Sequence, residues 1–368
     1  MIFTKPEHKI GRVDAAGRAL AQSVGSPMQN VSEKDLEIIK NWRAAHHFPL
    51  QIIKMMLKGR SKRTDVQALV SQRMKRLPSI RNKLVRSQSA TMRLSQMQDI
   101  GGCRAVVSNI GAVDRLVALF STGVGKNPTG RHKLVSSRNY VLNPKEDGYR
   151  GVHYAFRYQS NSPARAAWNG LRIEIQIRTK LQHAWATAVE TVDTLTGQSL
   201  KFALGSNIGD PQWRRFFALM GSAIALREKR SPVPGTPSDS EELISELRQL
   251  ANSMQAETVL SRLSETIRVI ESAQLQKGAV EYLLVLNAKD RSISIKPFSQ
   301  TQLPLLEADY INLEKDANPD LQVVQVSVED VTALRTAYPN YYLDTRSFVD
   351  ALHSAVALPR KKRRTRKS

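Results

Sequence analysis

The sequence predicts an α/β (α+β) protein, a mixed β-sheet flanked by helices with a smaller α/β domain following it, and three observations carry the prediction. The stretch Leu171-Arg-Ile-Glu-Ile-Gln-Ile-Arg-Thr179 alternates apolar and polar residues with period two, the mark of a half-buried strand. Further strand text at residues 134–142 and 152–159 is interleaved with helical text at 111–121 and 181–195. The Pro- and Ser-rich stretch Ser231–Ser238 then separates this part from a second run of helix and strand text.

At 368 residues the chain has room for more than one core. The expected division is a flexible N-terminus at 1–30, a main domain at 31–230, a linker at 231–239, an acidic helical plus α/β accessory domain at 240–358 and a disordered basic tail at 359–368.

In chain order, Ser32 with Asp35 three residues on reads as a helix cap ahead of Leu36, Ile38, Ile39 and Trp42. Helix is expected through Pro49–Leu57 and again over Asp65–Leu77. Asp99-Ile-Gly-Gly-Cys-Arg104 reads as a turn entering a strand, and 122–133 as a basic loop. Residues 211–230 form a further helix. The run 240–276 is a long amphipathic helix or helix pair, with Leu243, Leu247, Leu250, Met254, Val259, Leu263, Ile267 and Ile270 on a packing stripe within the chain or in a homo-oligomer. A hairpin at 279–286 and 292–297, a strand at 322–328 and helices at 331–337 and 345–356 complete the chain.

Composition narrows the class of function. Hydrophobic content of 41% is globular, no run of eighteen apolar residues exists, and the start lacks an apolar signal-peptide core, so a cytoplasmic protein with no membrane partner is expected. The single cysteine, Cys103, excludes an internal disulfide and reads as a packing residue. The net charge of +22 is unevenly spread: residues 1–238 carry 38 Lys+Arg against 15 Asp+Glu, and residues 239–358 carry 10 against 18. Such a basic half attracts nucleotides and RNA. Zinc chemistry is not expected, since His153 and His183 lack partners at ligand spacing, and no Walker or dinucleotide-binding glycine pattern is present.

The candidate residues follow. Arg73 and Lys75, with Ser79 and Lys83 on consecutive turns of a helix after Pro78, supply cations and a hydroxyl suited to a triphosphate. Asp99 sits where a hard metal ion would find it. Tyr149, displayed by a Pro- and Gly-shaped loop with Lys145, Arg150 and His153 around it, is the aromatic-plus-cation set that holds a nucleobase and its phosphates.

Arg73-x-Lys75, Ser79-Ile80-x-x-Lys83, Asp99-Ile-Gly-Gly-x-Arg104, Tyr149-x-x-x-His153 and Glu174-Ile-Gln-Ile-Arg-Thr179 together resemble, over roughly residues 50–195, the synthetase domain of the RelA/SpoT alarmone synthetases. The resemblance implies a sheet related to nucleotidyltransferases and transfer of the β,γ-pyrophosphate of ATP to a ribose 3′-hydroxyl of GDP or GTP, making (p)ppGpp. It implies that Asp99 and Glu174 hold Mg²⁺, with Glu174 activating the hydroxyl, and that Arg73, Lys75, Ser79, Lys83 and Arg104 hold ATP. Tyr149 would stack on the acceptor base, Lys145 and His153 would lie near its phosphates, and Gln176 and Arg178 would share the active face of the strand. His183 would be a packing or supporting residue. No His-Asp dipeptide occurs, so the hydrolase domain of the long family members is expected to be missing.

A toxic relative that pyrophosphorylates the 3′ end of tRNA is the alternative, favoured by the basic half, and a non-catalytic RNA-binding protein is a minor one. The acidic segment 239–358 is further expected to dock on the basic half as an inhibitor or sensor.

Overall fold

Asp65 decides how the chain enters its sheet. Its backbone N–H closes the last turn of helix α3 (His47–Thr64) on Ser61 at 2.8 Å, and its carboxylate then accepts the N–H groups of Gln67 at 2.9 Å and Ser108 at 2.6 Å. These bonds draw the backbone out of the helix. Within the expected helix over 65–77, Leu69–Met74 is therefore a strand, β1, because Val70, Gln72 and Met74 find buried positions in a sheet that local propensity does not reveal.

The computed structural model describes residues 3–23, 31–86, 92–121, 132–196, 210–265, 268–271, 279–315, 320–328 and 333–357. Its elements are α1 (Ile10–Gln22), α2 (Glu33–Ala45), α3 (His47–Thr64), β1 (Leu69–Met74), α4 (Leu77–Arg86), β2 (Gly101–Val107), α5 (Ile110–Ser121), β3 (Lys133–Asn139), β4 (Val152–Arg157) and β5 (Arg172–Thr179). They continue as α6 (Lys180–Thr196), α7 (Pro211–Arg227), α8 (Ser240–Ser253), α9 (Ala256–Glu265), β6 (Arg268–Glu271), β7 (Ala279–Asn287), β8 (Ser292–Ser299), α10 (Leu303–Lys315), β9 (Leu321–Ser327), α11 (Ala333–Ala337) and α12 (Arg346–Val356). No described helix is long and apolar enough to cross a membrane.

The chain divides into two compact units, one of Met1–Arg138, His153–Ile177 and Arg268–Ala337, the other of Asn139–Val152, Arg178–Ile267 and Tyr338–Ser368. In the first, nine strands form one sheet in the order β3-β4-β5-β2-β1-β9-β7-β8-β6. The sheet is mixed, with β1 antiparallel to both β2 and β9, and β6 parallel to β8. Leu50, Ile53 and Leu57 of α3 are fully buried, and each contributes roughly 1.5–3 kcal/mol of apolar burial. A Cβ on Gly101 would stand 3.0 Å from Ile173 Cδ1 and 3.4 Å from Leu50 Cδ2, so the isoleucine face of β5 is the one that packs on α3.

The N-terminus expected to be flexible contains α1, whose Val13, Ala16 and Leu20 are buried against α2 and α4. Asp14 accepts the Ser95 N–H at 2.9 Å, and a Cβ on Gly17 would come within 2.6 Å of Leu94, so the helix is seated closely. The small residues of this helix hide an i, i+3, i+7 stripe that bulkier side chains would have displayed. The Ser32 cap is as expected, its hydroxyl accepting Asp35 N at 3.1 Å.

The second unit is helical. Trp185, Phe216, Phe217, Leu243, Leu247 and Phe348 form its core from α6, α7, α8 and α12, and Leu250, Met254, Val259 and Leu263 of the expected stripe pack against it. The stretch expected as a linker, 231–239, lies wholly within this unit. It is a packed connection, since Val233 is buried and donates its N–H to Ser222 Oγ at 2.8 Å. The segment 240–358 does not fold as one separate body: Arg268–Ala337 belongs to the first unit, and its strand β9 lies beside β1. The basic tail at 359–368 and most of the loop at 122–133 lie outside the described residues.

Candidate active site

In the first unit, strand pairing and helix pitch gather the candidate charges into two groups. Asp99 lies just ahead of β2, and one of its oxygens accepts Lys75 Nζ at 3.0 Å while the other accepts Lys83 Nζ at 2.8 Å. Lys75 follows β1, anchored by its N–H to the Ile100 carbonyl at 2.8 Å, and Lys83 stands one turn beyond Ser79 on α4. Burial opposes ionisation of Asp99, but the charges and hydrogen bonds of the two lysines outweigh it and hold the carboxyl well below the ordinary range. Burial also lowers the Lys75 ammonium, with Asp99 restoring part of the shift.

The second group is centred on Glu174, at mid-strand of β5. His153 Nδ1 on β4 donates to Glu174 Oε1 at 3.0 Å, and Gln176 Nε2 donates to Oε2 at 2.7 Å. Burial pushes the Glu174 carboxyl up, as does the charge of Asp99, yet the hydrogen bond and charge of His153 and the Gln176 amide bring it below its usual value. Both carboxylates are thus anionic at neutral pH. His153, expected near the acceptor phosphates, is bonded to Glu174 in this structure. Arg73 pairs with Gly102 across β1 and β2, so Arg104, two residues on, projects from the same face of the sheet.

The second unit holds the aromatic group. A turn with Gly148 N–H bonded to the Lys145 carbonyl at 3.0 Å, and Tyr149 N–H bonded to Asp147 Oδ1 at 2.8 Å, sets Tyr149 in place. Gly148 has φ of +93°, and a Cβ there would strike the Phe217 carbonyl at 2.7 Å, so only glycine fits. Arg178 Nη2 donates to the Tyr149 hydroxyl at 2.7 Å, and its Cζ lies 5.0 Å from the ring centroid. Lys145 Nζ lies 5.3 Å from the same centroid and 4.8 Å from that of Tyr140. The two tyrosine rings meet edge to face, 5.7 Å apart at 75°.

Every candidate residue falls within residues 72–192, the part of the chain that matches the family model described as "Region found in RelA / SpoT proteins". Residues 72–192 are a RelA/SpoT-family synthetase domain. The chain is 29% identical over 169 residues to GTP pyrophosphokinase YjbM of Bacillus subtilis, covering 45% of this chain and 71% of that one. It is 30% identical over 121 residues to GTP pyrophosphokinase YwaC of the same organism, covering 31% of this chain and about half, 52%, of YwaC. Among solved structures, the small alarmone synthetase 1 from Bacillus subtilis bound to its product pppGpp superposes with a TM-score of 0.40 at 20% identity, over 54% of this chain and 93% of that chain. At that score the likeness is too slight to support an argument.

Asp99 and Glu174 are the residues that could hold a hard cation, which would take the places that Lys75, Lys83, His153 and Gln176 occupy on their oxygens. Two anionic carboxylates, Asp99 and Glu174, are present, and Mg²⁺ typically binds through one or two carboxylates with water and substrate phosphates completing its octahedron. Sequence reasoning missed Tyr140, although the aromatic-plus-cation signal that singles out Tyr149 applies to it equally, with Lys145 reaching both rings. It also missed Arg43, which is buried on α2 and donates Nε to the Lys75 carbonyl at 3.1 Å. A lone arginine in a helix carries no pattern that would have marked it. Cys103 is buried, and burial raises its thiol, in keeping with a packing role. His183 is buried on α6.

Proposed function

We propose that the protein is a pyrophosphokinase that transfers the β,γ-pyrophosphate of ATP to the ribose 3′-hydroxyl of GDP or GTP, producing (p)ppGpp. The observation that carries the reading is the pair of anionic carboxylates, Asp99 held by two lysines and Glu174 held by His153 and Gln176, inside the region matched to the family. The names of the relatives, both GTP pyrophosphokinases, support it.

Phosphoryl transfer asks a protein for positioning and charge neutralisation more than for covalent help. Arg73, Lys75, Ser79, Lys83 and Arg104 hold the ATP phosphates, the guanidinium planes being able also to stack on adenine. Mg²⁺, held by Asp99 and Glu174, would neutralise charge on the transferring group. Glu174 accepts the proton of the 3′-hydroxyl as the new oxygen–phosphorus bond forms at the β-phosphorus and the bond to the α-phosphate oxygen breaks, releasing AMP. His153 keeps Glu174 ionised and aimed for that step. Tyr149 stacks on the acceptor base, and Lys145 offers charge to its phosphates.

A second acceptor class is favoured by charge. With 38 Lys+Arg against 15 Asp+Glu in residues 1–238, the chain is more basic than a free nucleotide demands, as expected for a relative that modifies the 3′ end of tRNA. Incubation with γ-labelled ATP and GDP, GTP or bulk tRNA separates the two. Label in the guanine nucleotide pool is the expected result, label in tRNA would move the reading to the second class, and label in neither, with Glu174→Gln behaving like wild type, would defeat it.

A further inference from the structure

The family match ends at residue 192, yet strands from residue 268 onward belong to the same sheet. We infer that β7, α10 and β9 brace the ATP side of the site, with Tyr310 and Arg43 as positioning residues for Lys75. The inference rests on the pyrophosphokinase reading for its functional consequence, and on the geometry of the first unit for its mechanism.

Arg43 is the link. Its side chain is 1% exposed, its Cζ sits 3.8 Å from the Tyr310 ring centroid, and its Nε donates to the backbone carbonyl of Lys75 at 3.1 Å. Tyr310, wholly buried on α10, packs in a cluster with Leu283, Phe298, Leu306 and Val323. A buried guanidinium is costly to desolvate, and here the ring face and the carbonyl supply part of what water would have given. Buried cations are weak devices for stability and better ones for fixing geometry. What this one fixes is the residue whose ammonium holds Asp99.

Strand β9 works on the same strand from its edge. Its register sets Ser327 opposite Gln72 and Val326 opposite Arg73, so the backbone beside Arg73 is held by a strand outside the family match. Polar contacts hold β9 in that register, Lys54 Nζ donating to Ser327 Oγ at 3.1 Å and Gln325 Nε2 to His47 Nε2 at 2.7 Å, while Gln72 Nε2 donates to Glu281 Oε1 of β7 at 3.2 Å. A one-residue slip of β9 would turn Ser327 and Gln325 to the opposite face, away from Lys54 and His47, and remove the support that β9 gives the backbone at Arg73. On this inference, the part of the segment expected to dock as an inhibitor or sensor acts as a support, and weakening it lowers ATP binding.

The test uses the full-length chain with Tyr310→Leu, Tyr310→Phe and Arg43→Lys. Each is titrated with a non-hydrolysable ATP analogue, assayed for acceptor KM and followed by hydrogen–deuterium exchange over residues 69–76. Tyr310→Leu is expected to weaken the analogue about tenfold and to raise exchange in that peptide, while Tyr310→Phe, which keeps the ring, stays within about twofold of wild type. Arg43→Lys, which keeps the charge and loses the planar stack and the Nε bond, should follow Tyr310→Leu, with acceptor KM moved by less than about twofold in all three. Wild-type analogue affinity in both Tyr310→Leu and Arg43→Lys, equal losses for donor and acceptor, or a gain in transfer would overturn the brace. A wild-type protein that binds the analogue but passes label to no acceptor would instead overturn the pyrophosphokinase reading, with the brace still judged by binding and exchange.

Discussion

The Glu174 and Tyr149 groups are held in opposite ways. Glu174 and Asp99 are carboxylates with side chains 21% and 18% exposed, fixed by charged or amide donors on strands and a helix, at distances between 2.7 and 3.0 Å. Tyr149 is an aromatic on a turn, with Arg178 and Lys145 about its ring and Lys145 exposed to solvent. Rigid strands suit groups that must meet a reacting atom to within a fraction of an ångström, whereas a turn with a cation-lined ring suits recognition of a flat base. The contrast gives a rule for mutants: losses in the first group should fall on kcat or on the donor, and losses in the second on the acceptor alone.

The rule breaks most easily at Glu174. Glu174→Gln keeps the shape and removes the base, so kcat should fall about 10³-fold with both KM values little changed, measured by label transfer from ATP. Retention of more than about a tenth of wild-type kcat would remove Glu174 from the chemistry. Tyr149→Leu comes next: loss of one stacking face should raise acceptor KM about thirtyfold and leave the KM for ATP in place. If both rise together, the separation of the two groups is wrong.

Lys83→Met sharpens the comparison from the donor side. Removal of one of the two cations on Asp99 should raise the KM for ATP about tenfold. It also carries a pH signature. The Asp99 carboxyl is depressed in the folded protein, so its contribution to stability is present above its unfolded value near pH 4 and is lost as pH falls through the folded value. With Lys83 gone the depression shrinks, and the acid unfolding midpoint should move to higher pH in a circular-dichroism titration. An unmoved midpoint would mean that Lys75 alone sets the carboxyl.

What the sequence could and could not reveal follows the same physics. Period-two alternation at 171–179 and 152–159 survives in the fold because one face of each strand is buried, and the residues on the other face of β5 include Glu174. Residues 65–77 misled because strand β1 owes its form to β2 and β9, far off in sequence, and to the Asp65 side chain. The position of β9 beside β1 has no local trace at all, since register between strands some 250 residues apart is settled by packing. The places of Asp99 ahead of β2 and of Glu174 on β5 were legible through motif and strand pattern, but the attachment of His153 to Glu174 was not, because sequence spacing does not say which side of a strand pair a side chain will meet.

The smallest expected effect concerns Tyr140, and it tests whether the turn is tuned or merely sticky. Its ring abuts Tyr149 edge to face, and Lys145 lies over both rings, so Tyr140 limits where Tyr149 and Lys145 can go without itself being needed as a stacking platform. An edge-to-face pair is worth about 1 kcal/mol beyond its buried area, hence about fivefold in affinity at most. Tyr140→Leu should therefore raise acceptor KM about threefold, Tyr140→Phe should restore it because the ring remains, and neither should move kcat or the KM for ATP. A loss as large as that of Tyr149→Leu would mean that Tyr140 itself stacks on the acceptor, and the aromatic group would then be a two-ring platform for more than one base. No change in Tyr140→Leu would mean that Tyr149 is fixed by Arg178 and the Gly148 turn alone.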